Sequence, residues 1–253
     1  MYPILFQIGG VTIYSHGFFM LMGFLVGGAW LLYEAKRRNW TKEEMVPIGL
    51  AAFVGGMIGA RLVIPFFNGL ETASVAFNFY LLFDPRIGPG SILGGVAGGY
   101  IGGYVAAKAI GKKECTCDAF APALALALAV GRIGDFLAAE DGLGIATELP
   151  WGVPVPGVDF LVHPTPLYDS AFNLLWFGVL VTLRDHPKMQ NGNLLKFGLA
   201  GYAVFRFLVE FVRNNRVLGW GMTGQQYFSF LILAAIILYY VQQWRSRNQA
   251  IAA

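Results

Sequence analysis

The chain has 253 residues, 56% of them hydrophobic and 13% charged, with a formal net charge of +3. Soluble domains carry about 25% charged residues, so this composition excludes an ordinary soluble domain. The small charge surplus gives no footing for nucleic-acid binding, and two cysteines exclude a disulfide framework or a four-ligand metal site.

In chain order, the N-terminal run MYPILFQIGG lacks a basic region and a small-residue cleavage site. The first apolar segment is therefore expected to stay as a membrane anchor. A helix crossing the bilayer core needs about 20 mostly apolar residues. Seven stretches qualify, at about 14–34, 45–68, 92–110, 119–137, 165–184, 194–213 and 224–243. The expected fold is an all-α polytopic membrane protein of seven transmembrane helices, one integral-membrane domain over residues 1–253. Glycines in GGMIGAR and GGVAGGYIGGY, in the second and third runs, let helices approach closely. Cys115 and Cys117, between the third and fourth runs, read as loop thiols. After the fourth run, residues 138–164 hold no Lys or Arg and are rich in proline and glycine. That composition predicts an irregular connection, a lid or a spacer, with Trp151 and Phe160 as interface anchors.

Lys and Arg in short loops set membrane orientation. The first, third and fifth connections and the C-terminal tail carry twelve basic residues; the N-terminus and the other connections carry two, Arg86 and Arg216. The N-terminus is thus expected outside and the C-terminus in the cytoplasm. Four arginines remain, Arg61, Arg132, Arg206 and Arg213, inside or at the ends of spans. Each costs about 2.5–3.5 kcal/mol at a helix centre on insertion scales, less near an end. With this topology all four fall in outer halves of their spans, together with His16, His163, Tyr168 and Asp169. Asp135, Glu140 and Asp141 follow the fourth span, and Glu210 sits one helical turn from Arg206. Random snorkelling would populate both faces, so the pattern predicts a polar cavity open to the outer leaflet.

Arginine presents a planar fork of donors that suits phosphate or carboxylate. Several of them at headgroup depth suggest an anionic phospholipid, and neighbouring carboxylates could orient them or move protons. Tyr202 and Arg206 lie on one face of the sixth span, with Glu210 and Arg213 on or near it. The alternative for that ribbon is structural ion pairing.

These motifs, in order, resemble the prolipoprotein diacylglyceryl transferase family. GRIGDFLAAEDGLG at 131–144 is similar to its G-R-x-G-N-F-x-N-x-E-x-x-G signature, HPTPLYD to its H-P-[ST]-Q-L-Y-E, and GYAVFRFLVEFVR to its G-Y-x-x-F-R-[FI]-x-V-E-F-x-R. GGMIGARL and GGVAGG have counterparts too. The resemblance implies transfer of the diacylglyceryl group of phosphatidylglycerol to the cysteine thiol of a lipoprotein precursor's signal peptide. Glycerol 1-phosphate leaves and a thioether forms. By motif position Arg132 and Arg206 hold the phosphate, Glu140 is a polar anchor or proton acceptor, and Tyr202 contacts the headgroup. Asp135, Arg61, Glu210, Arg213, His163 and Tyr168 complete the expected substrate-binding set.

The departures matter as much. Leu93 stands where the family has a histidine, and leucine transfers no proton. His16 takes a tyrosine's place, while Asp135 and Ala138 replace two asparagines. If a histidine base is needed, His16 is the candidate; His163 is expected to cap the fifth helix. An aspartate at a phosphate site repels the ligand unless it is paired with arginine or protonated. The expected partners are phosphatidylglycerol in the outer leaflet and the precursor's signal peptide, in a bacterial inner or plasma membrane, with no metal and no cofactor. The alternatives are a relative that binds phospholipid or signal peptide without transfer, or one that uses another acceptor. A transporter tends to show inverted repeats and midplane sites; no repeat is seen here.

Overall fold

The computed structural model describes residues 2–62, 92–112, 116–139 and 143–252. Within them lie seven α-helices: α1 Ser15–Arg37, α2 Lys42–Leu62, α3 Ile92–Ala109, α4 Cys117–Ala138, α5 Thr165–Leu183, α6 Asn193–Val209 and α7 Gly224–Ala252. Each falls on one of the seven apolar runs. Helices α1, α2, α4 and α5, and the Gly224–Gln249 part of α7, are long and apolar enough to cross a membrane. The chain is a polytopic, mainly α-helical membrane protein. Two small antiparallel sheets accompany the helices: β1 Ile4–Ile8 with β2 Val11–Tyr14, and β3 Val153–Pro154 with β4 Leu161–Val162.

The chain groups into two compact units. One holds residues 31–120 and 190–192. Here α2 and α3 meet through glycines: a Cβ added to Gly59 would lie 2.9 Å from Gly98 Cα, and one on Gly55 3.2 Å from Gly102 Cα. At the start of helix α2 the Thr41 backbone N–H donates to Glu44 Oε2 at 3.1 Å, one half of a capping box. Buried Glu34 accepts from Arg37 (2.6 Å) and Arg38 (2.8 Å) at the end of α1. Arg61 is half-buried in the last turn of α2. Cys117 opens α4 in a disulfide, correcting its reading as a loop thiol; the reading of Cys115 falls outside the described residues.

The other unit holds residues 1–30, 121–189 and 193–253. Buried alanines keep α4 slim on more than one side. A Cβ on Gly23 would sit 2.7 Å from the Ala127 carbonyl oxygen and one on Gly27 3.0 Å from the Ala123 carbonyl oxygen, so α1 lies directly on the Ala123–Ala127 side. Helix α5 is tied to α4 by Ser170 Oγ donating to the Ala129 carbonyl (2.7 Å) and to α6 by Trp176 Nε1 donating to the Gly198 carbonyl (3.1 Å). Such interhelical bonds are worth about 1–2 kcal/mol in a bilayer, often less. Rings reinforce the α5–α6 contact: Phe172 stacks on Phe205 with centroids 4.0 Å apart. The β1–β2 hairpin turns at Gly9 and Gly10, with φ +52° and +82°. It is pinned by Ser15 N–H donating to the Pro3 carbonyl and Tyr2 N–H to the Leu137 carbonyl.

Candidate active site

The ends of five helices meet in this second unit. Helix α1 brings His16 in its first turn, and α4 brings Arg132 and Asp135 near its last. Helix α5 brings Asp169 in its second turn, α6 ends with Tyr202 and Arg206, and α7 begins after Thr223. Local sequence explains the convergence. A Cβ on Gly134 would lie 3.1 Å from the Ser15 carbonyl oxygen and 3.3 Å from His16 Cα, so this glycine lets α4 reach the start of α1. Pro164 and Pro166 start α5 where a missing N–H costs nothing.

Asp135 bridges two of the expected residues. Its Oδ1 lies 2.9 Å from His16 Nδ1 and its Oδ2 2.8 Å from Arg132 Nη1. An ionised carboxylate has no proton to give, so the imidazole donates from Nδ1 and Nε2 is its basic nitrogen.

Asp169 is the hub, fully buried. Its Oδ2 faces Arg132 Nε at 3.3 Å and Arg206 Nη1 at 3.7 Å and accepts a hydrogen bond from Arg213 Nη2. Three arginines thus share one carboxylate. Each guanidinium has five N–H donors, more than Asp169 can accept. Arg206 Nη1 and Arg213 Nε are buried without a hydrogen-bond acceptor among the described residues, and Asp169 Oδ1 and Glu210 Oε2 are buried there without a donor. Unsatisfied buried donors are costly, and a second anion with several acceptor oxygens, such as a phosphate, would satisfy them.

Glu210 closes the other side. Its Oε2 lies 3.2 Å from Arg206 Nη2, and its Oε1 accepts from Asn215 Nδ2 (2.6 Å) and Thr223 Oγ1 (2.8 Å). Thr223 and Gln226 form the capping box of α7: Thr223 N–H donates to Gln226 Oε1 at 3.0 Å, and Gln226 N–H to Thr223 Oγ1 at 3.4 Å. Glu210 is therefore a counter-ion held by two hydrogen bonds at Oε1, while its Oε2 is ion-paired with Arg206 but accepts no hydrogen bond among the described residues.

The sixth run was expected to stay helical through Arg213. Instead α6 ends at Val209, Glu210–Val212 form one 3-10 turn, and Arg213 is extended. The reason is backbone pairing. Leu143 and Val212 carbonyls accept from Asn214 and Ile145, and Gly144 N–H donates to the His163 carbonyl, so Gly144 joins the arginine segment to the His163 segment. His163 was expected to cap α5, but its side chain does not: Pro164 stands at the cap and no side chain bonds there. The His163 ring instead meets Tyr168 Oη at 3.1 Å, and that hydroxyl accepts from Trp151 Nε1 at 2.8 Å.

The structure thus brings together His16, Arg132, Asp135, Arg206, Glu210 and Arg213, with buried Tyr202 one turn before Arg206. Tyr168 and His163 engage each other instead, and Arg61 belongs to the other unit. Glu140 and the side chain of Leu93 lie outside the described residues. Asp169 and Thr223 are the residues that the motif reading left without a role. The tyrosine-aspartate pair opening α5 was the available signal for the first, and the T-x-x-Q pattern before α7 for the second.

The prolipoprotein diacylglyceryl transferase family model matches residues 3–242. The chain belongs to this family. It is 31% identical over 237 residues to a phosphatidylglycerol–prolipoprotein diacylglyceryl transferase of Finegoldia magna, covering 93% of each chain. It is 30% identical to the enzyme of that name from Pseudomonas paraeruginosa, over 98% of this chain and 95% of the relative. Against the one from Vibrio vulnificus, identity is 33% over 84% of this chain and 79% of the relative.

Proposed function

We propose that this protein transfers the diacylglyceryl group of phosphatidylglycerol to the cysteine thiol in a lipoprotein precursor's signal peptide. The observation that carries the reading is the Arg132–Asp135–His16 bridge, which ties a phosphate-binding group to a base within one network.

The thiol sulfur attacks the glyceryl carbon that bears the phosphate. A C–S bond forms, the C–O bond breaks, and its electron pair stays on the phosphate oxygen, so glycerol 1-phosphate leaves. The phosphate goes from one negative charge to two as the bond breaks. Arg132 and Arg206, supported by Arg213, stabilise that added charge more than the starting diester, which is what lowers a barrier. The thiol proton goes to His16 Nε2, since a free cysteine is mostly protonated at neutral pH. Asp135 keeps the imidazole in the tautomer that can accept it. Paired with Arg132 and His16, this aspartate does not oppose the phosphate as a bare carboxylate would. Tyr202 is assigned to the headgroup, and Arg61 to substrate binding. Glu140, a polar anchor or proton acceptor, is assigned from its motif position, and Tyr168 and His163 are assigned to substrate binding.

Seven spans in one membrane domain, with the N-terminus outside, fit the twelve-to-two bias of basic residues. That orientation puts the arginines at the outer leaflet of the bacterial inner membrane, where the signal peptide presents its cysteine. The test is an assay of purified protein with labelled phosphatidylglycerol and a peptide bearing the precursor cysteine. Label on the cysteine supports the reading. Lipid binding without transfer would replace it with the binding-only alternative.

A further inference from the structure

Trp220 is the most exposed large hydrophobic side chain among the described residues, at 92%. Its backbone lies in the left-handed region, φ +55° and ψ +25°, costly for a bulky residue, between Gly219 and Gly221. The turn is firmly closed. Leu218 N–H donates to the Met222 carbonyl at 2.8 Å, and Tyr227 Oη donates to the Gly219 carbonyl at 2.5 Å. A rigid, strained turn here holds an indole away from the protein, an arrangement that core packing does not require.

Its place in the chain says what it meets. Four residues later α7 begins, and its apolar run Tyr227–Val241 exposes Phe230, Leu231, Ile237 and Leu238, the surface of a span facing lipid. Trp244, 64% exposed, stands at the far end of that run. From Gly224 to Trp244 a helix rises about 30 Å, at about 1.5 Å per residue, the thickness of a hydrocarbon core. Tryptophans favour the two headgroup layers that bound such a span. We propose that the Gly219–Gly221 turn is a lipid-surface anchor: the Trp220 indole seats among phospholipid headgroups at the end of α7 that carries the arginine cluster. The turn leads straight to Thr223, whose hydroxyl holds the Glu210 carboxylate facing Arg206. The anchor thereby sets the depth of the arginines against the lipid phosphate layer. This depth consequence rests on the transferase reading; the seating of the indole does not.

The experiment uses the full-length protein in nanodiscs, with no substrate peptide. The fluorescence lost in Trp220→Phe isolates the Trp220 signal. It is expected to be quenched by lipids brominated near the carboxyl end of the chains, more than by lipids brominated near the methyl end or by aqueous iodide. Strong iodide quenching with no effect of bromolipids would overturn the proposal. In bilayers, Trp220→Ser is expected to raise KM for phosphatidylglycerol several-fold with kcat little changed, and Trp220→Tyr to restore it. A rise confined to KM for the peptide would overturn the lipid assignment in favour of a peptide contact. Bromolipid quenching in a protein with no transfer activity would sustain the anchor while removing the transferase reading.

Discussion

The Nδ1 of His16 lies 2.9 Å from Oδ1 of Asp135, across 119 residues of chain. The same carboxylate holds Arg132 at 2.8 Å. Under the proposed function this pair supplies a base held in one tautomer: the carboxylate takes the Nδ1 hydrogen bond and leaves Nε2 to accept the thiol proton.

His16→Gln is therefore expected to lower kcat by about 10²–10⁴-fold, the range for a lost general base. Asp135→Asn should lower kcat less, because an amide oxygen still accepts from Nδ1. The double variant should be little worse than His16→Gln alone, as for residues acting as a unit. Steady-state kinetics with labelled lipid across pH measures all three. Full activity in His16→Gln would remove the imidazole from the chemistry.

The helices are legible in the sequence because a bilayer demands long apolar runs, and seven such runs stand out between polar loops. The end of α6 is not legible. Phe211 and Val212 continue the apolar pattern, while what stops the helix is pairing with residues 143–145, distant in sequence. Asp169 is half legible: the topology puts it at the depth of the arginines and its Tyr-Asp pair stands in a motif, but its facing three guanidiniums from other segments depends on tertiary packing. The β1–β2 hairpin has a local mark, since ILFQI and VTIY flank a Gly-Gly pair, a hairpin signal.

Asp169 carries the second prediction. Replacing it with asparagine leaves Arg132, Arg206 and Arg213 gathered without their shared charge. Removing one partner of a buried ion pair typically costs about 3–5 kcal/mol. Asp169→Asn is expected to lower the thermal midpoint in detergent markedly, and anionic lipid should recover part of the loss by supplying the missing charge. Arg206→Lys keeps the charge but loses the planar fork. It should cost about 10²–10³-fold in kcat, comparable to losing one donor to a developing oxyanion, with a smaller effect on stability.

Gly144 makes a steric prediction. A Cβ there would stand 2.9 Å from the His163 carbonyl oxygen, which accepts the Gly144 N–H, and would also meet His163 Cβ and the Val212 carbonyl oxygen. Backbone and Cβ atoms cannot move aside as a long side chain can. Gly144→Ala should part the 143–146 segment from its neighbours and displace Arg213. Limited proteolysis should cut this connection faster, and transfer activity should fall together with protection.

Thr223 makes the last prediction, because one hydroxyl performs two tasks. It accepts the Gln226 N–H that caps α7 and donates to Glu210 Oε1. Thr223→Val keeps the shape and removes both. Loss of the cap costs about 0.5–2 kcal/mol, and Glu210 keeps only Asn215 on that oxygen. The carboxylate is then less restrained opposite Arg206. KM for phosphatidylglycerol should rise, while the variant remains folded. Thr223→Ser restores the hydroxyl and should restore KM; a purely apolar contribution from the threonine methyl would leave the serine variant as impaired as the valine. Measuring lipid KM in both variants beside their thermal midpoints separates positioning of Arg206 from helix stability.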